Sequence, residues 1–580
     1  MKNNKGITKR LFGYTKPMAA LLIPAVFSAV ISVALSLYAP ILVGRGIDRI
    51  IDKGNVDFAG VKRYVIMIGI TVVLSAVFNW IMSFCTYKIT YRAVSDMRSE
   101  LYAKLGKLPL NYIDSTAHGD IISRMSADIE LISDGLLQCF SQFLTGIVTI
   151  VGTIIFMLRI NAGVALVVIL ITPLSLFVAA FITKLCRDKF KEQSAVRGEL
   201  SGCIEELVGG QKVVKAFAYE KRAAERFGEI NGRLYKCGVL AQFYSALTNP
   251  CTRFVNGIVY AAAGIFGAIS VINGGTMTVG QISAFLSYAN QDTKPFNEIT
   301  GVITELQAAF ASAGRVFAVL DEQEEIPEKE PPAEAKADGR VEIDDVSFSY
   351  KPGQKLLENV NLDVKPGQRI AVVGPTGCGK TTLINLLMRF YDVRSGSIRV
   401  GGTDIRDMRR NELRAMYGMV LQDTWIFTGT IRENIAYGRP DTTDEEVRAA
   451  AEMCHCHSFI RRLQNGYDTV VSEESGTLSQ GQKQLLCIAR VALTNPPMLI
   501  LDEATSSIDT RTEQKIQSAF AKLMKGKTSF IIAHRLSTIK DADVILVMKD
   551  GNIIEQGSHD GLLEKNGFYA KLYSSQFEAG

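Results

Sequence analysis

The chain carries six apolar stretches long enough to cross a lipid bilayer, and they constrain its fold more than any other feature. Residues 17–44, 64–87, 135–158 and 160–183 contain no Asp, Glu, Lys or Arg. A fifth stretch, 243–272, holds only Arg253, and a sixth, 279–303, holds Asp292, Lys294 and Glu298. About 20 apolar residues span the hydrocarbon region. One such stretch alone reads as a buried core helix; six in one chain are too many for that. In hydrocarbon each backbone N–H and C=O must be paired within its own segment, so the spans are expected to be helices. The expectation is an all-α, six-helix transmembrane domain over residues 17–320.

The connections set the orientation. The third and fourth spans, and the fifth and sixth, are joined by a few residues. The connections 88–134 and 184–242 are long and rich in Lys and Arg, among them Lys88, Arg92, Arg98, Arg187, Lys212, Lys215 and Arg222. Basic excess marks the cytoplasmic side. Both long loops read as helices continuing out of the membrane, with turns near 111–123 and 209–220. With six crossings, both termini and everything after residue 320 are expected in the cytoplasm of a multi-pass cell-membrane protein. Residues 1–16 are basic with apolar residues between, the pattern of a short helix lying on the lipid surface or, alternatively, of a disordered arm. The first apolar stretch is too long for the core of a cleavable signal.

Residues 321–339 (DEQEEIPEKEPPAEAKADG) read as an acidic, Pro-rich linker. From 340 to 580 the pattern changes to that of a water-soluble α/β domain. There the apolar strand Arg369–Val373 runs into Gly374-Pro-Thr-Gly-Cys-Gly-Lys380-Thr381, and a helical apolar pattern follows. This is a phosphate-binding loop in its required strand–loop–helix setting. Glycines let successive N–H groups turn toward an anion, and the helix that follows points its positive end at the same spot. Lys380 adds a charge for the β- and γ-phosphates, and Thr381 offers a hydroxyl to Mg²⁺. A second apolar strand, Met498–Leu501, ends in Asp502-Glu503, a carboxylate pair suited to Mg²⁺ and to an attacking water.

Net charge is +5, too mild to indicate a nucleic-acid partner. The ten cysteines are scattered and suggest no disulfide framework. Cys454-His-Cys-His457 invites a metal reading, but the surrounding residues read as helix, where i and i+2 do not share a face, and no second pair lies at zinc spacing.

Leu478-Ser-Gln-Gly-Gln482, just before the second strand, resembles the signature motif of ATP-binding cassette (ABC) proteins, and the whole chain resembles an ABC exporter half-transporter. The resemblance implies ATP and Mg²⁺ as cofactors. It implies nucleotide contacts from Gly374, Pro375, Thr376, Gly377, Cys378, Gly379, Lys380, Thr381 and Thr382, with Tyr350 stacking on adenine. Thr381, Gln422 and Asp502 would serve Mg²⁺; Glu503 would be the general base; Gln422 and His534 would complete the catalytic set. Ser479, Gln480, Gly481, Gln482 and Asp509 would face an ATP held by a partner chain. Gly119-Asp120 and the 209–220 turn would be the coupling helices that dock on nucleotide domains.

Gln480 departs from the family's LSGGQ. A side chain there crowds a backbone that must approach phosphate closely. With the phosphate loop, Glu503 and His534 intact, this resembles one subunit of a heterodimeric, multidrug-type exporter, preferred here over a homodimer. Its partners would be a second ABC half-transporter, membrane lipid and an amphiphilic small-molecule or peptide substrate. Polar residues at membrane depth (Arg253, Asn256, Asn290, Asp292 and Lys294) are the sequence's best clues to cargo; for Arg253, Asp292 and Lys294 the alternative is snorkelling at helix ends. The function expected is ATP-driven export of an amphiphilic or hydrophobic compound. The alternatives are an ATP-gated channel or regulatory subunit, and an importer of a chelate on the exporter fold.

Overall fold

The computed structural model describes the chain except residues 1–3, 51–55, 273–276, 334–335, 352, 423, 474–475, 503–507, 533–538 and 578–580. Within helices it also leaves out the side chains of 4, 5, 172, 173, 175, 176, 179, 180, 183, 248, 249, 292–294, 296, 297, 300, 576 and 577. The chain separates into two compact units, residues 1–106 with 118–322, and residues 107–117 with 323–580.

The first unit is helical. Its helices are α1 (Asn4–Gly13), α2 (Ala19–Ile47) and α3 (Phe58–Leu105). The short α4 (Leu110–Ser115) belongs to the second unit. Then follow α5 (His118–Ser123), α6 (Ile129–Gln138), α7 (Leu144–Ile160), α8 (Ala162–Gly209), α9 (Gln211–Ala216), α10 (Glu220–Ile272) and α11 (Val279–Leu320). Among the described residues, five stretches are long and apolar enough to cross a membrane: Lys16–Ile47, Phe58–Leu105, His118–Ile160, Glu220–Ile272 and Gly301–Leu320. The span expected at 160–183 falls in α8, whose apolar described stretch is Ala162–Ile171. Ile23, Phe27, Val73, Trp80 and Leu170 are exposed, the reverse of a water-soluble protein and what lipid contact requires.

Close backbone approach holds the bundle. A Cβ on Gly44 would lie 2.3 Å from the Gly280 carbonyl oxygen, so α2 and α11 touch backbone to backbone. Asp48 seals that crossing by accepting from the Gly280 N–H at 2.7 Å and the Thr278 hydroxyl at 2.8 Å. The third span is not one regular helix. Two π-helical segments, Arg124–Asp128 and Cys139–Phe143, interrupt it. The basic N-terminal helix is not a free arm: Leu11 is fully buried, and Arg10 pairs with Asp321 and lies over the Phe317 ring.

The second unit holds a four-stranded antiparallel sheet, order β2-β1-β4-β5, and a six-stranded sheet, order β12-β11-β3-β10-β9-β6. The strands are β1 (Val341–Phe348), β2 (Leu357–Val364), β3 (Arg369–Val373), β4 (Ser395–Val400), β5 (Thr403–Asp404) and β6 (Tyr417–Val420). A separate pair is formed by β7 (Gly429–Thr430) and β8 (Val470–Val471). The rest are β9 (Met498–Asp502), β10 (Thr528–Ile532), β11 (Val544–Lys549) and β12 (Asn552–Gly557). All pairings in the six-stranded sheet are parallel except β11 with β12. Along β3, Ile370 and Val372 enter one hydrophobic cluster while Ala371 and Val373 enter another. The strand is buried on both faces, hence its unbroken apolar run.

The acidic, Pro-rich stretch makes fixed contacts: Glu325 N–H donates to the Lys107 carbonyl at 3.0 Å, Glu328 accepts from Arg410 N–H at 2.9 Å, and Ala333 N–H donates to the Asp407 carbonyl at 2.9 Å. One expectation needs correction. Residues 454–457 are not helical throughout. The helix Asp444–Met453 ends, His455 takes a left-handed φ of 59°, and a new short helix starts at His457. Only this break lets Cys454 and Cys456 both enter the core at 0 % exposure, since i and i+2 of a helix face apart. Burial pushes the Cys454 thiol up to about 12. His455 meets the Ser518 hydroxyl and His457 the Tyr467 hydroxyl, so the four side chains do not converge.

Candidate nucleotide site

Parallel strands end at one edge of a sheet, and ligands bind beyond their carboxyl ends. Here β3 delivers Gly374, β9 delivers Asp502, and β6 is followed by Gln422. In register, Ile532 of β10 pairs with both Val372 and Asp502, and Val420 of β6 pairs with Leu501. The four strands therefore end at the same level.

The phosphate loop needs its glycines for two different reasons. A Cβ on Gly374 would lie 2.2 Å from the Met548 carbonyl oxygen at the end of β11, so the backbone passes where no side chain fits. Gly379 caps the helix Lys380–Leu387 at φ 102°, a conformation unfavourable for a residue with Cβ. Lys380 folds over the loop, its Nζ 2.8 Å from the Gly374 carbonyl and 3.0 Å from that of Pro375. Among the described residues its ammonium is held by neutral carbonyls and by no carboxylate, which leaves a positive charge where a polyphosphate would lie. Cys378 is buried in the core cluster beneath the loop, so at this position only the backbone is available to an anion.

A cavity of 480 Å³ gathers Tyr350, Thr376, Lys380, Thr381, Gln422 and Asp502. Gly377, Gly379 and Thr382 line it as well. Tyr350 stands at its rim, half-buried, its hydroxyl 3.3 Å from that of Thr382, its ring 5.0 Å from Tyr391 and nearly perpendicular to it. Thr381, Gln422 and Asp502 offer a hydroxyl, an amide and a carboxylate to one space. That is a set of hard oxygen donors suited to Mg²⁺. Gln354, Leu356 and Ile532 also line the cavity; no motif in the sequence pointed to them. Glu503 and His534 lie outside the described residues.

The signature residues do not line this cavity. Ser479 and Gln482 form a capping box at the start of the helix Gln480–Thr494. Asp509 caps the next helix, Thr510–Met524, accepting from Thr512 N–H at 2.9 Å, a bond that holds its carboxyl below the usual range. A Cβ on Gly481 would lie 2.5 Å from Thr512 Cγ2, so this glycine lets the two helices meet. The Gln480 side chain turns back within its own unit and donates to the Thr424 hydroxyl at 3.0 Å. Beside it, Glu473 accepts from Lys483 at 2.7 Å and from Ile426 N–H at 3.2 Å. Lys483 keeps the Glu473 carboxyl below its usual range. The segments after Gln422, before the signature and within its helix are thereby one polar cluster.

Within the second unit, Tyr391 donates its phenol to the Asp114 carboxylate of α4. Burial and this carboxylate together push the Tyr391 phenol up. The expected contact at Gly119-Asp120 lies in α5, which groups with the first unit. The 209–220 turn forms α9, with Val213 and Phe217 exposed.

Comparison with known proteins agrees with this arrangement. Residues 22–296 match the family described as "ABC transporter transmembrane region", and residues 357–506 match "ABC transporter". The chain is 42% identical over 578 residues to the "Uncharacterized ABC transporter ATP-binding protein YfiC" of Bacillus subtilis, covering 100% of this chain and 95% of that protein. It is 42% identical over 524 residues to the "Fatty acid ABC transporter ATP-binding/permease protein" of Mycobacterium bovis, covering 90% of this chain and 83% of that one. Its fold is similar to "Structure of a bacterial Atm1-family ABC exporter with ATP bound", with TM-score 0.78, 28% identity and coverage of 97% and 98%.

Proposed function

Because the chain belongs to the ABC exporter half-transporters, multi-pass membrane proteins that couple ATP hydrolysis to transport, we propose that it exports an amphiphilic or hydrophobic compound, as one subunit of a heterodimer. The observation that carries the ATPase chemistry is the gathering of Lys380, Thr381, Gln422 and Asp502 around one cavity at the carboxyl edge of the parallel sheet.

The loop amides and Lys380 hold the β- and γ-phosphates, and the half-buried face of Tyr350 takes the adenine. Thr381, Gln422 and Asp502 would hold Mg²⁺, which when bound neutralises charge on the phosphates. Glu503, next in sequence after Asp502, takes the proton of the attacking water. His534 holds the γ-phosphate side. The nucleotide domain lies in the cytoplasm, on the side of the basic loops. A relative named for fatty acid transport supports a cargo with a long apolar part.

The test is Glu503→Gln. Hydrolysis should fall by at least about 100-fold while ATP still binds, because the substitution removes the base and keeps the loop. Full turnover by this variant would refute the assignment.

A further inference from the structure

The Tyr350 side chain is restrained at both its tip and its ring. Its hydroxyl donates to that of Thr382 at 3.3 Å and accepts from the Asn385 amide at 3.4 Å, so the helix after the phosphate loop fixes the tip. Its ring lies nearly perpendicular to two others, Phe348 at 5.1 Å and Tyr391 at 5.0 Å, and those two lie 5.7 Å apart. Aromatic rings at such distances and angles attract edge to face. Phe348 ends β1 and is buried. Tyr391 lies in the loop between the helix Lys380–Leu387 and β4 and is only half-buried, so packing alone does not fix it.

What fixes Tyr391 comes from far away in sequence. Its phenol donates to the Asp114 carboxylate, 277 residues earlier and within the same unit. Hydrogen bonds to an ionised acceptor are the strong ones. Burial and this carboxylate push the phenol up, so it stays a donor. No residue of α4 is buried, so the core does not require Asp114 to stand where it does. The nucleotide chemistry gives neither Asp114 nor Tyr391 a part, yet together they brace the ring that borders the nucleotide cavity.

We propose that Tyr391, held by Asp114, is a positioning residue for the base of the nucleotide: it keeps the Tyr350 ring in the orientation on which adenine stacks. The proposal rests on the reading of Tyr350 as the seat of adenine. A ring ordered before the base arrives favours binding, because a side chain immobilised on binding costs affinity. Without the bond to Asp114 the Tyr391 ring is free to turn, and Tyr350 loses one of the two rings that brace it. The phosphate loop, Lys380 and the oxygen donors of the cavity are untouched. The effect falls on the base and spares the phosphates. A residue of the first long cytoplasmic connection thereby sets how tightly the base is held.

The full chain in phosphatidylcholine nanodiscs is titrated with β,γ-imido-ATP, which resists hydrolysis, and with ribose 5-triphosphate, which carries a triphosphate and no base. Tyr391→Phe should weaken β,γ-imido-ATP at least about threefold and leave ribose 5-triphosphate within about twofold. Asp114→Ala should do the same, and Asp114→Asn, which keeps an oxygen to accept the bond, should restore most of the loss. Tyr391→Phe combined with Asp114→Ala should be no weaker than either alone, since both remove one bond. Equal weakening of the two ligands would mean that the pair merely supports the fold, and overturns the proposal. Unchanged binding of β,γ-imido-ATP by Tyr391→Phe overturns it too. Tyr350→Ala, measured alongside, should lose at least about fivefold for β,γ-imido-ATP alone. That loss in Tyr350→Ala with none in Tyr391→Phe sinks the positioning role and leaves the adenine seat standing. No base-selective loss in Tyr350→Ala sinks the adenine seat, and the proposal with it.

Discussion

Gln480 and Gly481 separate what a motif implies from what its residues do inside one chain. From sequence, Gln480 was the residue that should crowd the backbone. In the structure it is exposed and spends its amide on Thr424, while the crowded position is Gly481, with Thr512 Cγ2 2.5 Å from where a Cβ would stand. That contact joins residues 31 positions apart, which no local pattern reveals. Gly481→Ala should therefore destabilise the second unit by about 1–3 kcal/mol, the usual cost of overpacking, and lower its melting temperature. Thr424→Val, which removes only the partner of Gln480, should cost about 1 kcal/mol. Thermal unfolding of the two variants side by side checks the order; a larger loss from Thr424→Val would place the constraint on Gln480 after all.

At the scale of elements, the sequence was most readable where one physical demand dominates. The apolar spans and β3 are legible because lipid, or burial on both faces, permits little besides apolar residues. The loop after β3 is legible because anion binding fixes glycine and lysine spacing. Breaks in helices were not legible. The turn at His455 and the two π-helical segments of the third span arise from packing, and their residues have ordinary helix composition. The first π-helical segment ends on Asp128, 4 % exposed, which takes two hydrogen bonds from Arg315 of α11. The pair ties the irregular segment to a helix 187 residues away. Arg315→Leu would strand a buried carboxylate, and the half-exposed position of Arg315 limits the cost to about 2 kcal/mol. Adding Asp128→Asn should recover most of it. A double variant no more stable than Arg315→Leu would mean that the arginine acts through its packing rather than its charge.

Over the whole molecule, the decisive fact is that the phosphate cavity and the signature helix are separate sites in one chain. If ATP is enclosed by one of each, two chains are required, and each chain can be damaged in two distinguishable ways. Lys380→Ala removes the charge this chain offers to its own nucleotide. Ser479→Arg blocks what it offers to the partner's. In a homodimer both active sites contain both positions, so the variants should abolish hydrolysis alike. In a heterodimer whose partner has an intact signature, the site built on Lys380 does most of the work. Lys380→Ala should then cost at least about 100-fold in turnover, on the scale of losing an electrostatic stabiliser. Ser479→Arg, falling on the slower site, should cost no more than about twofold. The measurement is ATP turnover of the complex as it purifies from cells, with either substitution in this chain only. Equal losses would establish two equivalent sites and with them the homodimer. Unequal losses of this order would show that Gln480 marks the half of a site that has been relieved of catalysis.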